Sequence, residues 1–198
     1  MTHPAVPLTR RERKRDLTRA LLFEAALAEF RRVGFDRSSV SQIAREAGVS
    51  RASFYFHYPT KEHVLLELQW GLQQQMAQRV AACDSLRSAL YELVDALIEA
   101  ETNVEDTDLH RDMLMIHVRR PEGLGLEDLP SPIQEELLRQ ITAGAERGEL
   151  RSGLDPLQAT DLCLKSVFGF LIGSAEPIAI RRSDLRSLVS LYLAADGP

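Results

Sequence analysis

The chain has 198 residues, 44% of them hydrophobic, with two widely separated cysteines. That length supports one sizeable core, or one core and a small appended domain. Cys83 and Cys163 are too few and too far apart for a disulfide framework, and each sits in an apolar context, so both read as buried, reduced thiols rather than redox groups. The net charge of −5 is unevenly laid out: twelve Lys/Arg oppose six Asp/Glu through Lys61, and twelve oppose twenty-three beyond it. A basic first third followed by an acidic remainder places any phosphate contact in that first third.

The opening Met1-Thr2-His3-Pro4 has no apolar run of signal type. The most apolar stretch, 162–180, is interrupted by Lys165, Glu176 and Pro177, which marks core or interface rather than a membrane span. A protein working in the cytoplasm is expected. Residues 1–9, with Pro4 and Pro7, read as an unstructured lead-in. The run Arg10–Arg15 that follows has two readings, a solvated first turn or an arm along phosphates or into a minor groove.

The first clear helix spans about 16–33, with Leu22, Ala25, Ala26, Phe30 and Val33 on its inner stripe and Gly34 ending it. Ser39-Val40-Ser41-Gln42 has the pattern of a capping box and predicts a helix over 39–47 that buries Val40, Ile43, Ala44 and Ala47. Gly48 follows where a positive φ is needed. Val49 fills the corner, and Ser50 suits the N-cap of the next helix, 51–58. Helix, short Gly-containing turn, helix is a helix-turn-helix. In the second helix Phe54 and Tyr58 lie four apart and face a core. Ala52, Ser53, Tyr55 and Phe56 then point mostly away, where a surface helix normally carries charge. Hydroxyls, aromatics and Arg51 on that side suit a surface that meets DNA. Arg51 has the geometry for a bidentate contact to guanine. Tyr55 can place its ring on a thymine methyl and its hydroxyl on a phosphate. A phosphate beside Lys61 would offset the unfavourable placing of a cation at a helix start.

Thr60 predicts a cap for a helix over 61–82, packed through Val64, Leu65, Leu68, Leu72, Met76 and Val80. Helices over about 85–101 and 107–119 follow, then a loop from Arg120 to Pro130. Ser131-Pro132-Ile133-Gln134 and Asp155-Pro156-Leu157-Gln158 are strong start signals for helices reaching Glu146 and Gly173. Ser183 is expected to cap a last helix to Ala195. The chain reads as all-α with about nine helices. It divides into a helix-turn-helix domain over 1–61 with a basic arm, and a helical domain over 62–198.

The 156–173 helix is apolar almost all round, so it must be covered on two sides. Gly169 and Gly173 permit close approach, and Phe170 lies between them. With Leu188 and Tyr192 of the last helix they form an expected two-helix face, paired across a two-fold axis in a homodimer. Trp70, Met76, Met113, Met115, His117 and Phe168 are candidate linings of an adaptable apolar cavity. His110 and His117 with Asp106, Asp108 and Asp112 lack metal-ligand spacing, and neither metal nor cofactor is expected. No nucleophile–base set or phosphate-cradling Gly loop is apparent, which argues against an enzyme.

Taken together, Leu22, Ala25-Ala26, Phe30, Gly34-Phe35, Ser38-Ser39-Val40, Ile43-Ala44, Ala47-Gly48-Val49-Ser50, Phe54-Tyr55, His57-Tyr58 and Lys61-Glu62 resemble the amino-terminal signature of the TetR family of bacterial transcriptional regulators. Glu146-Arg147-Gly148-Glu149-Leu150 and Asp155-Pro156 also look family-like. The resemblance implies a three-helix DNA-binding domain, and it assigns ligand binding and dimerisation to the acidic helical domain over 62–198. It further implies a homodimer on a palindromic double-stranded operator, released by a small-molecule inducer. By positional match, Ser39 and Ser41 would meet the DNA backbone, Arg51, Ala52 and Ser53 would face bases, and Tyr55, His57 and Lys61 would hold phosphates. Ala52 stands where Gly is common in the family and Tyr58 where Phe is common.

Overall fold

A computed structural model describes residues 9–103, 109, 112–113, 115, 131–173 and 177–195. Among these there are eight helices and no strand, only a lone antiparallel bridge between Leu150 and Leu193. The chain divides into two compact units, Met1–Glu67 and Leu68–Pro198. The boundary falls within one helix, a few residues beyond the expected division at 61/62.

The first unit opens with α1, Arg10–Val33. It begins six residues before the apolar stripe suggests, because Thr9 and Glu12 form a reciprocal capping box. Glu12 N–H donates to Thr9 Oγ1 at 3.2 Å, and Thr9 N–H donates to the Glu12 carboxylate at 2.7 Å. The Arg10–Arg15 run is therefore helical and solvated. Its backbone is that of a solvated first turn, the first of the two expected readings; contact with phosphates stays a proposal, and residues 1–8 lie outside the described residues. Leu22, Ala26, Leu27 and Phe30 are buried, while Ala25 and Val33 are only half-buried. Glu29 is also buried and pairs with Arg32. Gly34 closes the helix at φ 81°.

Helix α2 is Val40–Glu46 and α3 is Arg51–His57. Gly48 sits between them at φ 68°, and Val49 N–H reaches back to Ala44 O at 2.9 Å, which fixes the turn. Ser50 caps α3 as expected, accepting from Ser53 N–H at 3.1 Å. The capping box expected at Ser39 does not form: Ser39 occupies the N-cap position with no side-chain cap bond, and Gln42 donates instead to Glu46 at 2.7 Å. The core joins Leu22 and Phe30 of α1, Phe35, Ile43 of α2, Phe54 of α3, Tyr58, and Val64 and Leu65 from the start of α4, Glu62–Ala81. Phe30 and Phe35 meet edge to face, with centroids 5.1 Å apart.

In the second unit the remainder of α4 is followed by α5, Leu86–Asn103, α6, Pro132–Glu146, α7, Pro156–Gly173, and α8, Ile178–Ser190. Ser131 and Asp155 cap α6 and α7 as expected, by bonds of 3.3 and 3.0 Å. Leu109, Asp112, Met113 and Met115 have helical backbone, but most of the helix expected over 107–119 lies outside the described residues. The last helix differs from expectation. It starts after Pro177, whose φ of −55° suits a helix entry, and it ends at Ser190, leaving Ser183 mid-helix. Leu86, Leu90, Leu93, Leu137, Ile141, Cys163, Val167, Leu185 and Val189 form the centre of a single core. Gly144 lets α5 and α6 touch, since a Cβ there would lie 2.9 Å from Leu86 Cβ. Gln140, buried between helices, donates to Val80 O at 3.0 Å and so satisfies a carbonyl at the end of α4.

Two Arg–carboxylate clusters fasten α8 to α5. Arg181 grips Glu101 with two bonds of 2.7 and 2.6 Å, and Arg186 reaches Asp95 at 2.5 Å while lying over the Tyr91 ring. Cys163 is buried, and burial pushes its thiol up to about 12. Cys83 is half-buried, with its thiol also raised by burial. Both shifts favour the inert thiol form.

Candidate nucleic-acid interface

Helix α3 is anchored by its inner side. Phe54 and Tyr58 are fully buried with ring centroids 5.7 Å apart. Burial raises the Tyr58 phenol well above its ordinary range, with the neighbouring Glu67 carboxylate acting in the same direction. The other side is open: Arg51 and Ala52 are exposed, Tyr55 is 46% exposed and Phe56 is 73% exposed. Two large aromatics held outward by two buried ones give a rigid outward surface of mixed apolar and polar character.

Two grooves flank that surface, each of about 370 Å³. One gathers Ser39, Ser41, Arg51, Tyr55 and Lys61, which brings together five of the residues singled out from sequence. The other lies between α1 and α3 and collects Arg11, Lys14, Arg15, Ser53, Phe56 and His57. The basic first turns of α1 thus border the same helix, a placement that only the three-dimensional arrangement supplies.

His57 is half-buried. Its imidazole is held below the usual range, first by burial and then by the Arg19 and Arg15 guanidinium groups. It is therefore neutral at pH 7, and a nearby phosphate would draw a proton onto it.

Arg19 was not singled out from sequence. Its Nε and Nη2 donate to Glu67 on α4 at 3.0 and 2.6 Å, its Nη1 donates to His57 O at 3.1 Å, and its guanidinium lies over the Tyr58 ring at 4.6 Å. One side chain of α1 thus ties the end of α3 to the start of α4. No local pattern signals it, because its partners lie 38 and 48 residues away.

Lys61 departs from expectation. Its ammonium donates to Phe35 O at 2.6 Å, Asp36 O at 3.2 Å and Ser38 Oγ at 3.3 Å, and it lies over the Phe35 ring. Its three donors are thus directed at protein oxygens, and the side chain works as a clamp on the α1–α2 connection. Lys61→Met should lower the stability of the first unit by about 1–2 kcal/mol while leaving the salt dependence of any DNA binding unchanged. Chemical denaturation and salt titration check the two halves separately.

In the second unit, a cavity of about 330 Å³ lies among α4, α5, α6 and α7. Met76, Met113 and Phe168 line it. Trp70 does not, being 37% exposed, and His117 lies outside the described residues. Met115 is half-buried and is not among the lining residues. Among the described residues no cluster of His, Cys, Asp and Glu has the form of a metal site, and His110, like His117, lies outside them.

Of the expected dimer face, Gly169 and Gly173 are exposed with open space where a Cβ would stand. Phe170, Leu188 and Tyr192 are half-buried and pack partly on their own core. Leu157, Leu162 and Ile172 add exposed apolar surface on α7.

Residues 22–68 match the family of bacterial regulatory proteins known as the tetR family. The A-factor receptor protein of Streptomyces griseus is 25% identical over 173 residues, which is 85% of this chain and 58% of that protein. The chain thus spans little more than half the length of that relative. The fatty acid metabolism regulator protein of Bacillus subtilis is 24% identical over 68% of this chain and 71% of its own length. Among solved structures, Thermus thermophilus FadR, a TetR-family transcriptional repressor in complex with lauroyl-CoA, superposes with a TM-score of 0.68 at 22% identity. That match covers 91% of this chain and 98% of the other, and it carries the fold. No helix among the described residues is long and apolar enough to cross a membrane.

Proposed function

We propose that this chain, which belongs to the tetR family of bacterial regulatory proteins, is a transcriptional repressor of the cytoplasm whose grip on operator DNA is released by a small molecule. The observation that carries this reading is α3, with Phe54 and Tyr58 buried beneath outward Arg51, Ala52, Tyr55 and Phe56 in the basic part of the chain. Ser53 sits beside that outward row, and Ser39, Ser41 and His57 border the flanking grooves. Arg51 has the reach for a guanine edge, Tyr55 for a methyl and a phosphate, and Ser39 and Ser41 for the backbone. Lys61 enters the proposal as a clamp rather than a phosphate contact.

A homodimer supplies two such helices to a palindromic site, with half-sites about 34 Å apart. The exposed α7 face supports pairing through Gly169, Gly173 and Ile172, with Phe170, Leu188 and Tyr192 at its margin. Ile172→Glu, which leaves the core untouched, should yield monomers by light scattering. An intact dimer would move the interface off α7.

The cavity supports ligand control. Leu72, Gln73 and Met76 of α4 line it, so a guest there bears directly on the helix that Arg19 ties to α3. Its apolar walls suit an apolar guest. A purely architectural DNA binder has no use for that space, and among the described residues no catalytic set argues for an enzyme.

Selection of bound sequences from a random DNA pool tests the reading, and a palindrome is the expected product. Arg51→Ala should then relax preference at one position per half-site, by about 1–3 kcal/mol. An unchanged base profile would remove Arg51 from base recognition. Failure of the wild type to retain any duplex at low salt would end the proposal.

A further inference from the structure

The walls of the cavity in the second unit carry chemical information beyond apolarity. Apolar side chains supply most of the lining, among them Leu72, Met76, Leu97, Ile133 and Phe168. Its polar members are Gln69, Gln73, Ser131 and Lys165. Three of them are already engaged. Ser131 Oγ accepts Gln134 N–H as the cap of α6. The Lys165 ammonium donates to Asp161 at 2.7 Å, on a side chain 72% exposed. Gln69 has an interaction partner of its own.

Gln73 is the exception. Its side-chain oxygen is shielded from solvent and, among the described residues, has no hydrogen-bond partner. A buried acceptor without a donor is a standing cost to the empty protein, and a guest that brings a donor removes it. A guest that brings a negative charge meets the opposite situation. The one cation of the described lining is at the surface and already paired with Asp161, so among the described residues a carboxylate would meet amide and hydroxyl donors but no free cation, and these only partly replace the hydration it loses.

From this wall chemistry we propose that the cavity takes a neutral, largely apolar molecule bearing one hydroxyl or N–H donor, which donates to Gln73 Oε1. The proposal rests on the reading of the cavity as the ligand site and narrows it to a class, uncharged amphiphiles rather than fatty acids. The volume of about 330 Å³ lies near the small end of the range for ligand pockets, ~300–1,000 Å³, so the class is restricted to small or medium chains and rings.

The test uses the full chain and three probes of matched length: decanol, decyl methyl ether and decanoate, titrated by calorimetry. Decanol should bind about fivefold or more tightly than the ether, which lacks the donor, and more tightly than decanoate. Gln73→Met keeps the bulk of the side chain and removes the acceptor. It should bind decanol and the ether alike. Tighter binding of decanoate than of decanol overturns the inference, as does an alcohol preference that survives in Gln73→Met, and both leave the cavity standing as the ligand site. Leu97→Trp, which fills the cavity, should weaken decanol binding at least tenfold. Unchanged binding in that variant, or no binding of any probe to the wild type, overturns the cavity reading itself and the inference with it.

Discussion

Phe54→Ala should unfold the first unit while the second remains helical. Phe54 is fully buried, and its ring packs against those of Tyr58 and Tyr55. Truncating such a side chain costs about 3–5 kcal/mol. A unit of this size has a total stability of only about 3–10 kcal/mol, so the loss is comparable with the whole. The expected result is a separate, earlier thermal transition by circular dichroism, rapid proteolysis within residues 10–60, and no DNA retention. Phe56→Ala is the matched control. It removes a similar ring two residues along, but from a position 73% exposed, and should leave the melting temperature unchanged. A Phe54→Ala protein with wild-type proteolytic resistance would show that the face assignment of α3 is wrong, and with it the outward placing of Arg51 and Tyr55.

Glu101→Gln should destabilise the second unit by about 3 kcal/mol. The Arg181 guanidinium is nearly enclosed, at 7% exposure, and Glu101 supplies both of its carboxylate bonds. The neighbouring Arg182 and Arg186 use Asp95 instead. Removing the negative partner leaves a shielded positive charge beside two others. The double variant Glu101→Leu with Arg181→Met removes both charges and should recover most of the loss, because the desolvation cost of the pair disappears with it. Urea unfolding of the wild type, the Glu101→Leu and Arg181→Met single variants and their double variant closes the cycle. A single variant costing under about 1 kcal/mol, or a double variant as unstable as the single, would show that the pair is not a fastening of α8 to α5.

The helix ends that could be read from sequence are those with their own short-range chemistry. Ser50, Ser131 and Asp155 each cap the helix anticipated for them, and Gly34 and Gly48 take the positive φ that their positions demand. Two starts were misplaced, one by apolar periodicity and one by a cap signal at Ser183. The beginning of α1 buries nothing before Leu22, so a stripe cannot mark it, although Thr9 and Glu12 did carry the signal. Helix α8 opens with Ile178, Ala179 and Ile180, all exposed, and Pro177 rather than Ser183 sets its entry. At Ser39 the pattern was present but Gln42 found Glu46 instead, a competition of equal range that spacing cannot decide.

The interface was legible in the same graded way. The outward side of α3 followed from two buried aromatics four apart. Arg19 and the true partners of Lys61 depend on contacts across 23 to 48 residues, which no local window contains. The cavity showed the same limit: Met76, Met113 and Phe168 were identified by residue type, but the Gln73 oxygen becomes distinctive only when its surroundings are known to be dry.

The early start of α1 has a thermodynamic consequence. Twelve residues ahead of Leu22 extend roughly 18 Å as a ready-made rod, already paid for when the protein folds. A cationic tail that must coil up on its target gives a large negative heat-capacity change and a heavy entropic penalty. Under the proposed function, docking of this stiff spar onto the DNA backbone would carry neither signature, and its electrostatic part would rest on counterion release and fade with added salt.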